Sequence, residues 1–206
     1  MYKVEIVNSK EDLKEVFNFL SETFYKDAKK HKEHYFTMSE RFEEMNKQFD
    51  TDKSFLMYIK DGKRIIAGIT GKNSNPKDEK ITLGVLAVDE EYRLKWLASK
   101  LVKVFEKTCK EKGIKHIDLG TRFRAVQLYL KLKYNYSLMI QVFDFKTIDD
   151  VRKENKYNFE EGFSFQGDTY GFIFYKVDDV KEEYLKHFEK NVPTAHAQYI
   201  FEKDLD

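Results

Sequence analysis

One cysteine, one tryptophan, two prolines and nine glycines are all that 206 residues contain of these types. A lone thiol cannot close an intrachain disulfide, so a disulfide-stapled scaffold is excluded. Cys109 falls in an apolar helical stripe, which reads as a packed small residue rather than a catalytic nucleophile. The prolines stand alone at Pro76 and Pro193, and no Gly/Ser/Pro-rich tract marks a linker. An excess of one charge is lacking too, with 37 Lys and Arg against 36 Asp and Glu. That balance argues against nucleic acid or an anionic membrane as the main partner, since both select a strong basic excess. No apolar run is long enough to span a bilayer, and the opening MYKVEIVNSKEDLKE is too charged for a secretory core. Zinc, calcium and phosphate-loop spacings are absent, so no metal is expected. The reading is a soluble, cytoplasmic protein of one domain, or one domain with an extension.

What the chain has in quantity is aromatic: 18 Phe and 13 Tyr must supply much of the buried area. Tyr2–Val7 alternates as a strand, and Ser9 with Asp12 signals a helix start before Leu13, Val16, Phe17 and Leu20. Phe24–Phe49 reads as one or two helices with a break near His34–Thr37. Its aromatics and acids (Glu33, Glu40, Glu43, Glu44) suit the wall of a cleft for a small cationic amine, and equally a solvated amphipathic helix. Asp61-Gly62-Lys63 between SFLMYIK and RIIAGITG marks a hairpin. Lys72–Lys80 reads as a polar loop before the strand Ile81–Val88. A long helix then carries Leu97, Leu101, Phe105 and Cys109 on one stripe and ends at Lys112-Gly113. Strand Lys115–Gly120, helix Ala125–Leu132 and strand Ser137–Phe145 follow. Beyond them come helix Thr147–Lys156, strand Phe172–Val177, helix Asp179–Glu189 and strand Ala197–Lys203. This order indicates an α/β (α+β) fold with a mixed, mostly antiparallel sheet flanked by helices.

Within that order, LAVDEEYRLKWLASKLV joins a strand to a helix N-terminus, where unpaired N–H groups and the helix dipole favour an anion. The stretch resembles the acyl-CoA-binding motif of the GNAT N-acetyltransferase superfamily, Arg/Gln-x-x-Gly-x-Gly/Ala. Arg93 and Ala98 match it, while Trp96 stands at the first glycine and Leu94 at a position that is often glycine. A second block, KHIDLGTRFRAVQLYLKLKYNYS, resembles the family's later A-x-x-φ-Y-x-x-x-G-F motif. Ala125, Leu128 and Tyr129 match it; Lys133 replaces the glycine and Tyr134 the phenylalanine.

The resemblance covers about Tyr2–Phe145. It implies a GNAT-like domain over 1–145, with 146–206 an extension packed on it. It also implies an acyl-CoA-dependent N-acetyltransferase that moves acetyl from acetyl-CoA to a primary amine of a small substrate by direct attack. Leu86, Ala87 and Val88 would face the pantetheine arm, and Arg93, Leu94, Lys95, Trp96, Leu97, Ala98 and Ser99 the pyrophosphate. Tyr129 would be the donor to the departing thiolate, its alternative being a core tyrosine beside Leu128 and Leu132. No general base is fixed, although Glu79, His116 and Asp118 fall near strand ends. Trp96 and Lys133 keep a second reading open, a GNAT-fold binding or regulatory module without catalysis. Edge strands near the C-terminus leave room for a homodimer.

Overall fold

The computed structural model describes residues 2–31, 38–75, 79–143 and 147–205. By contacts the chain divides into two compact units, Met1–Asp118 with Asp204–Asp206, and Leu119–Lys203. In each, antiparallel pairing dominates and helices cover the sheet, the mixed α/β class indicated by the sequence.

The first unit orders its strands β1 (Glu5–Ile6), β2 (Leu56–Asp61), β3 (Arg64–Asn75), β4 (Lys80–Val88) and β5 (His116–Thr121). β5 runs on into the second unit. β1 is shorter than the alternation of Tyr2–Val7 implies. β3 continues to Asn75, through residues expected in a loop, because it keeps its register with β4 down to Asn75↔Lys80. The hairpin turns at Gly62, whose φ of +59° a side chain tolerates poorly. Among the described residues of this unit the β4–β5 pair alone is parallel, and it spans Lys80–Thr82 against His116–Asp118.

Helix α1 (Lys10–His31) starts where Ser9 Oγ accepts the Asp12 N–H at 3.0 Å, and α2 (Met38–Asp52) follows it. The expected break at 34–37 lies outside the described residues. Val16 and Leu20 of α1 join Met45 of α2, Leu56, Tyr58 and Ala87 in one apolar cluster. Helix α3 (Leu97–Glu111) buries Leu97, Leu101, Val102, Phe105 and Cys109 and packs across β2, β3 and β4. β2 has Leu56–Ile59 buried without alternation, as a strand covered on both faces requires. Gly71 is demanded here by close approach: a Cβ would lie 2.7 Å from Ile81 and 3.1 Å from Phe105. Helix α3 ends in a Schellman turn, with Gly113 at φ +74° and Ile114 N donating to Cys109 O.

The second unit orders β9 (His196–Asp204), β6 (Asn135–Phe143), β8 (Tyr170–Lys176) and β7 (Glu160–Gln166). Residues 146–203 thus share one unit with 119–145, because β9 returns to pair along β6 from Asn135↔Glu202 to Gln141↔His196. Helices α4 (Val126–Lys131), α5 (Ile148–Lys153) and α6 (Glu182–Asn191) line one face, where Phe201 meets Tyr129 and Tyr175 stacks on Phe188. On the other face Phe163, Phe165 and Tyr170 of the β7–β8 hairpin remain exposed. β7 is an element the sequence reading did not contain. Among the described residues no helix is long and apolar enough to cross a membrane.

Candidate active site

The site grows from the C-terminal end of β4. Pairing with β5 stops at Thr82, while β4 runs on to Val88 hydrogen-bonded to β3, with Leu86 opposite Ile69 and Val88 opposite Ala67. Leu86 and Val88 are half-buried, and Ala87 turns into the α1–α2 cluster. Asp89 then caps a 3₁₀ turn, Glu90–Tyr92, accepting the Glu91 N–H at 3.1 Å. Arg64 clamps the turn by donating to Asp89 at 2.6 Å and Glu91 at 3.0 Å, and Tyr92 donates to Asp61 at 2.8 Å. Arg93 Nε donates back to Val88 O at 3.2 Å, and Lys95 Nζ sits 4.6 Å from the Tyr92 ring. A clamped turn delivers the chain to α3 in one orientation.

The delivery uses two left-handed residues, Leu94 and Trp96, both at φ +63°. Lys133, where the later block departs from glycine, has φ +60°. All three residues that replace a family glycine therefore keep the backbone conformation that glycine would adopt most cheaply. Their bulk points outward: Leu94 is 100% exposed, Trp96 77%, and Lys133 is exposed. Trp96 is the N-cap of α3 and makes no side-chain cap bond. The first intrahelical bond is Lys100 N to Trp96 O at 3.0 Å, which leaves the N–H groups of Leu97, Ala98 and Ser99 ahead of it. Lys100 itself reaches back to the Tyr2 carbonyl.

Replacing Leu94 by glycine is expected to raise stability by about 0.5 kcal/mol, the left-handed penalty less glycine's unfolded-state entropy. Leu94→Ala, which keeps the Cβ, should gain nothing. Urea midpoints compare the two, and a less stable glycine variant would refute strain at this residue.

A second feature, which the sequence reading missed, lies on the α1–α2 face of the same strand. The register passes from Thr70↔Val85 to Gly71↔Leu83, so Gly84 is the extra residue of a bulge. Thr70 Oγ1 accepts the Val85 N–H at 3.0 Å, and a Cβ on Gly84 would lie 3.0 Å from that oxygen. The bulge floors a cavity of about 440 Å³ walled by Phe17, Phe24, Glu40 and Glu44. Glu44 is 4.0 Å from Lys72, and Arg41 lies 5.8 Å from the Phe24 ring centre. Of the acids expected on such a wall, Glu43 is exposed outside this lining and Glu33 falls outside the described residues. An isolated glycine inside an apolar strand was the available signal.

The strand-end candidates for a base are placed elsewhere. Glu79 pairs with Lys115 at 2.7 Å, Asp118 with Lys80 at 2.6 Å, and His116 with Asp204 at 2.7 Å. All three lie where β4 and β5 begin. At about 3.3 Å per residue, the length of β4 puts Glu79 roughly 30 Å from the end that feeds α3. Parallel pairing puts both strand starts together, away from that end. Among the described residues no group of three His, Cys, Asp or Glu converges as a metal requires.

Tyr129 lies in the second unit, on α4. It is 3% exposed, with its ring 5.5 Å from Tyr134 and 5.4 Å from Phe201. Lys133 N donates to Leu130 O and Tyr134 N to Tyr129 O, a Schellman turn closed on a lysine. Burial pushes the Tyr129 phenol above its ordinary range, so it keeps its proton at neutral pH.

A family model described as the acetyltransferase (GNAT) family matches residues 13–134, more than half of the chain. The chain belongs to the GNAT acetyltransferase family. Among solved structures, a GNAT-family acetyltransferase from Staphylococcus aureus Mu50 is similar at TM-score 0.54 and 17% identity, over 85% of this chain and 100% of that one. PaiA N-acetyltransferase from Thermoplasma acidophilum, solved with coenzyme A, gives 0.53 at 16%, over 85% and 98%. The ribosomal-protein-S18-alanine N-acetyltransferase of Escherichia coli gives 0.51 at 14%, over 88% and 99%. At these identities the likeness is one of GNAT fold. No curated protein matches the chain by sequence.

Proposed function

We propose that this GNAT protein transfers an acetyl group from acetyl-CoA to the primary amine of a small acceptor. The observation that carries this is the start of α3, where left-handed Leu94 and Trp96 lead into free N–H groups at Leu97–Ser99. Those donors, the helix dipole and the cations Arg93 and Lys95 suit a pyrophosphate. The exposure of Leu94 and Trp96 keeps their bulk out of the core and fits the coenzyme reading. Leu86, Ala87 and Val88 would offer backbone to the pantetheine arm beyond the β5 pairing.

The cavity above the Gly84 bulge is the proposed acceptor pocket. Its lining balances two carboxylates, Glu40 and Glu44, against Arg41 and Lys72, which suits a polar acceptor, and Phe17 and Phe24 favour an apolar body. In the reaction the amine lone pair attacks the thioester carbonyl, the C–S bond breaks, and acetyl becomes amide. The new ammonium loses its proton to solvent and the leaving thiolate takes one from solvent, the family resemblance assigning Tyr129 as the hydrogen-bond donor that stabilises it.

Acetyl-CoA at a hundredfold excess over its dissociation constant should stabilise the fold by about 2.7 kcal/mol. Calorimetry with acetyl-CoA and CoA measures this, and absence of any shift would sink the proposal. A binding module without catalysis would be protected equally but release no CoA thiol in the presence of an amine panel.

A further inference from the structure

We propose that the Trp96 indole is a stacking platform for the purine base of the bound coenzyme, an inference that rests on the coenzyme reading above. Trp96 is the chain's single tryptophan, and it carries two costs at once. Its backbone is left-handed, at φ +63° and ψ +8°, a region that L side chains enter only against steric resistance. Its side chain is 77% exposed, although tryptophan is on average highly buried. Among the described residues no ring stacks on it and no hydrogen bond holds it. The clamped turn before α3 holds the backbone in place, but nothing within the fold uses the indole.

A ligand at the start of α3 gives the exposed indole a partner. Trp96 immediately precedes the N–H groups of Leu97–Ser99, so a pyrophosphate held there is bordered by the residue that carries the indole. With the pantetheine arm on β4 as proposed above, the nucleoside at the opposite end of the pyrophosphate would extend past the helix terminus, where Leu94 and Trp96 are exposed apolar side chains. A purine presents a π-face of matching size, and Lys95 beside it adds positive charge for the nucleotide's phosphates. The substitution that removes the family's glycine thereby supplies a base contact that glycine could not make.

The single tryptophan makes the test direct. CoA should quench the protein's indole emission, whereas 4′-phosphopantetheine, which lacks the nucleoside, should bind without quenching. Trp96→Gly should weaken CoA about tenfold to a hundredfold, the usual range for loss of one base–aromatic stack, and leave 4′-phosphopantetheine unchanged. Trp96→Phe should restore most of the difference. A glycine variant that binds CoA equally or more tightly would show that the indole obstructs the site, and would overturn the proposal. So would CoA binding that leaves the emission unaltered. Calorimetry on the unaltered protein separates these results from failure of the coenzyme reading itself, which would appear as no binding of CoA at all.

Discussion

Replacing Tyr129 by phenylalanine is expected to lower turnover about a hundredfold or more while leaving acetyl-CoA affinity and stability nearly unchanged. The phenol is in the state the proposed role needs. Burial raises its pKa, so it holds its proton across the working range and can donate a hydrogen bond to a thiolate leaving group. The sign matters for the pH profile. The reactive form is the protonated one, so no loss of rate through Tyr129 should occur between pH 7 and pH 10. The variant keeps the packing, because Tyr134 and Phe201 contact the ring and the Schellman turn uses the backbone. Initial-rate assays separating kcat from KM decide the point. An unchanged kcat would assign Tyr129 to packing alone.

The second large effect concerns the helix that carries the proposed pyrophosphate cradle. Phe105→Ala should cost about 3–5 kcal/mol, a large part of the 5–15 kcal/mol that holds a typical domain folded. Phe105 is fully buried, 5.7 Å from the Phe55 ring and tight against Gly71, so its removal leaves a cavity that rigid strands cannot fill. Denaturant midpoints measure the loss, and a change below about 1 kcal/mol would show that the core relaxes around the site. Added acetyl-CoA should recover part of it by mass action, since only the folded helix presents the N–H groups.

Most of the fold was legible because its signals are local. Asp61-Gly62-Lys63 sets a hairpin, and Lys112-Gly113 closes a helix with the residue best suited to a positive φ. The stripe from Leu97 to Cys109 declares a buried face. What escaped depends on long-range pairing. Lys72–Asn75 is polar, yet it is strand because β4 lies beside it. β7 holds only a short Phe-Ser-Phe alternation after Glu-Glu-Gly, and pairing with β8 makes it a strand. Glu79, His116 and Asp118 fall at strand ends, but only the parallel register reveals that these are the ends remote from α3.

The candidate site was legible in position and not in conformation. Arg93–Ala98 and Tyr129 were marked by their motifs. Nothing about leucine, tryptophan or lysine indicates a left-handed backbone, because each pays for that geometry through its Cβ. Leu94, Trp96 and Lys133 hold it because the clamped turn before α3 and the Schellman turn after α4 fix the chain on either side. Gly84 gave a hint of its bulge, whereas the cavity above it needed two helices brought together.

Cys109 gives the protein a consequence of a practical kind. Its thiol is fully buried in α3, and burial with Glu106 nearby pushes its pKa up to about 12. Thiolate is the form that attacks disulfide reagents, so the native protein is nearly silent to them. A chromogenic disulfide can therefore count released CoA without a background from the enzyme. In the absence of CoA, the same reagent labels Cys109 only when α3 leaves its place. The slow labelling rate then reads the free energy of that opening under native conditions.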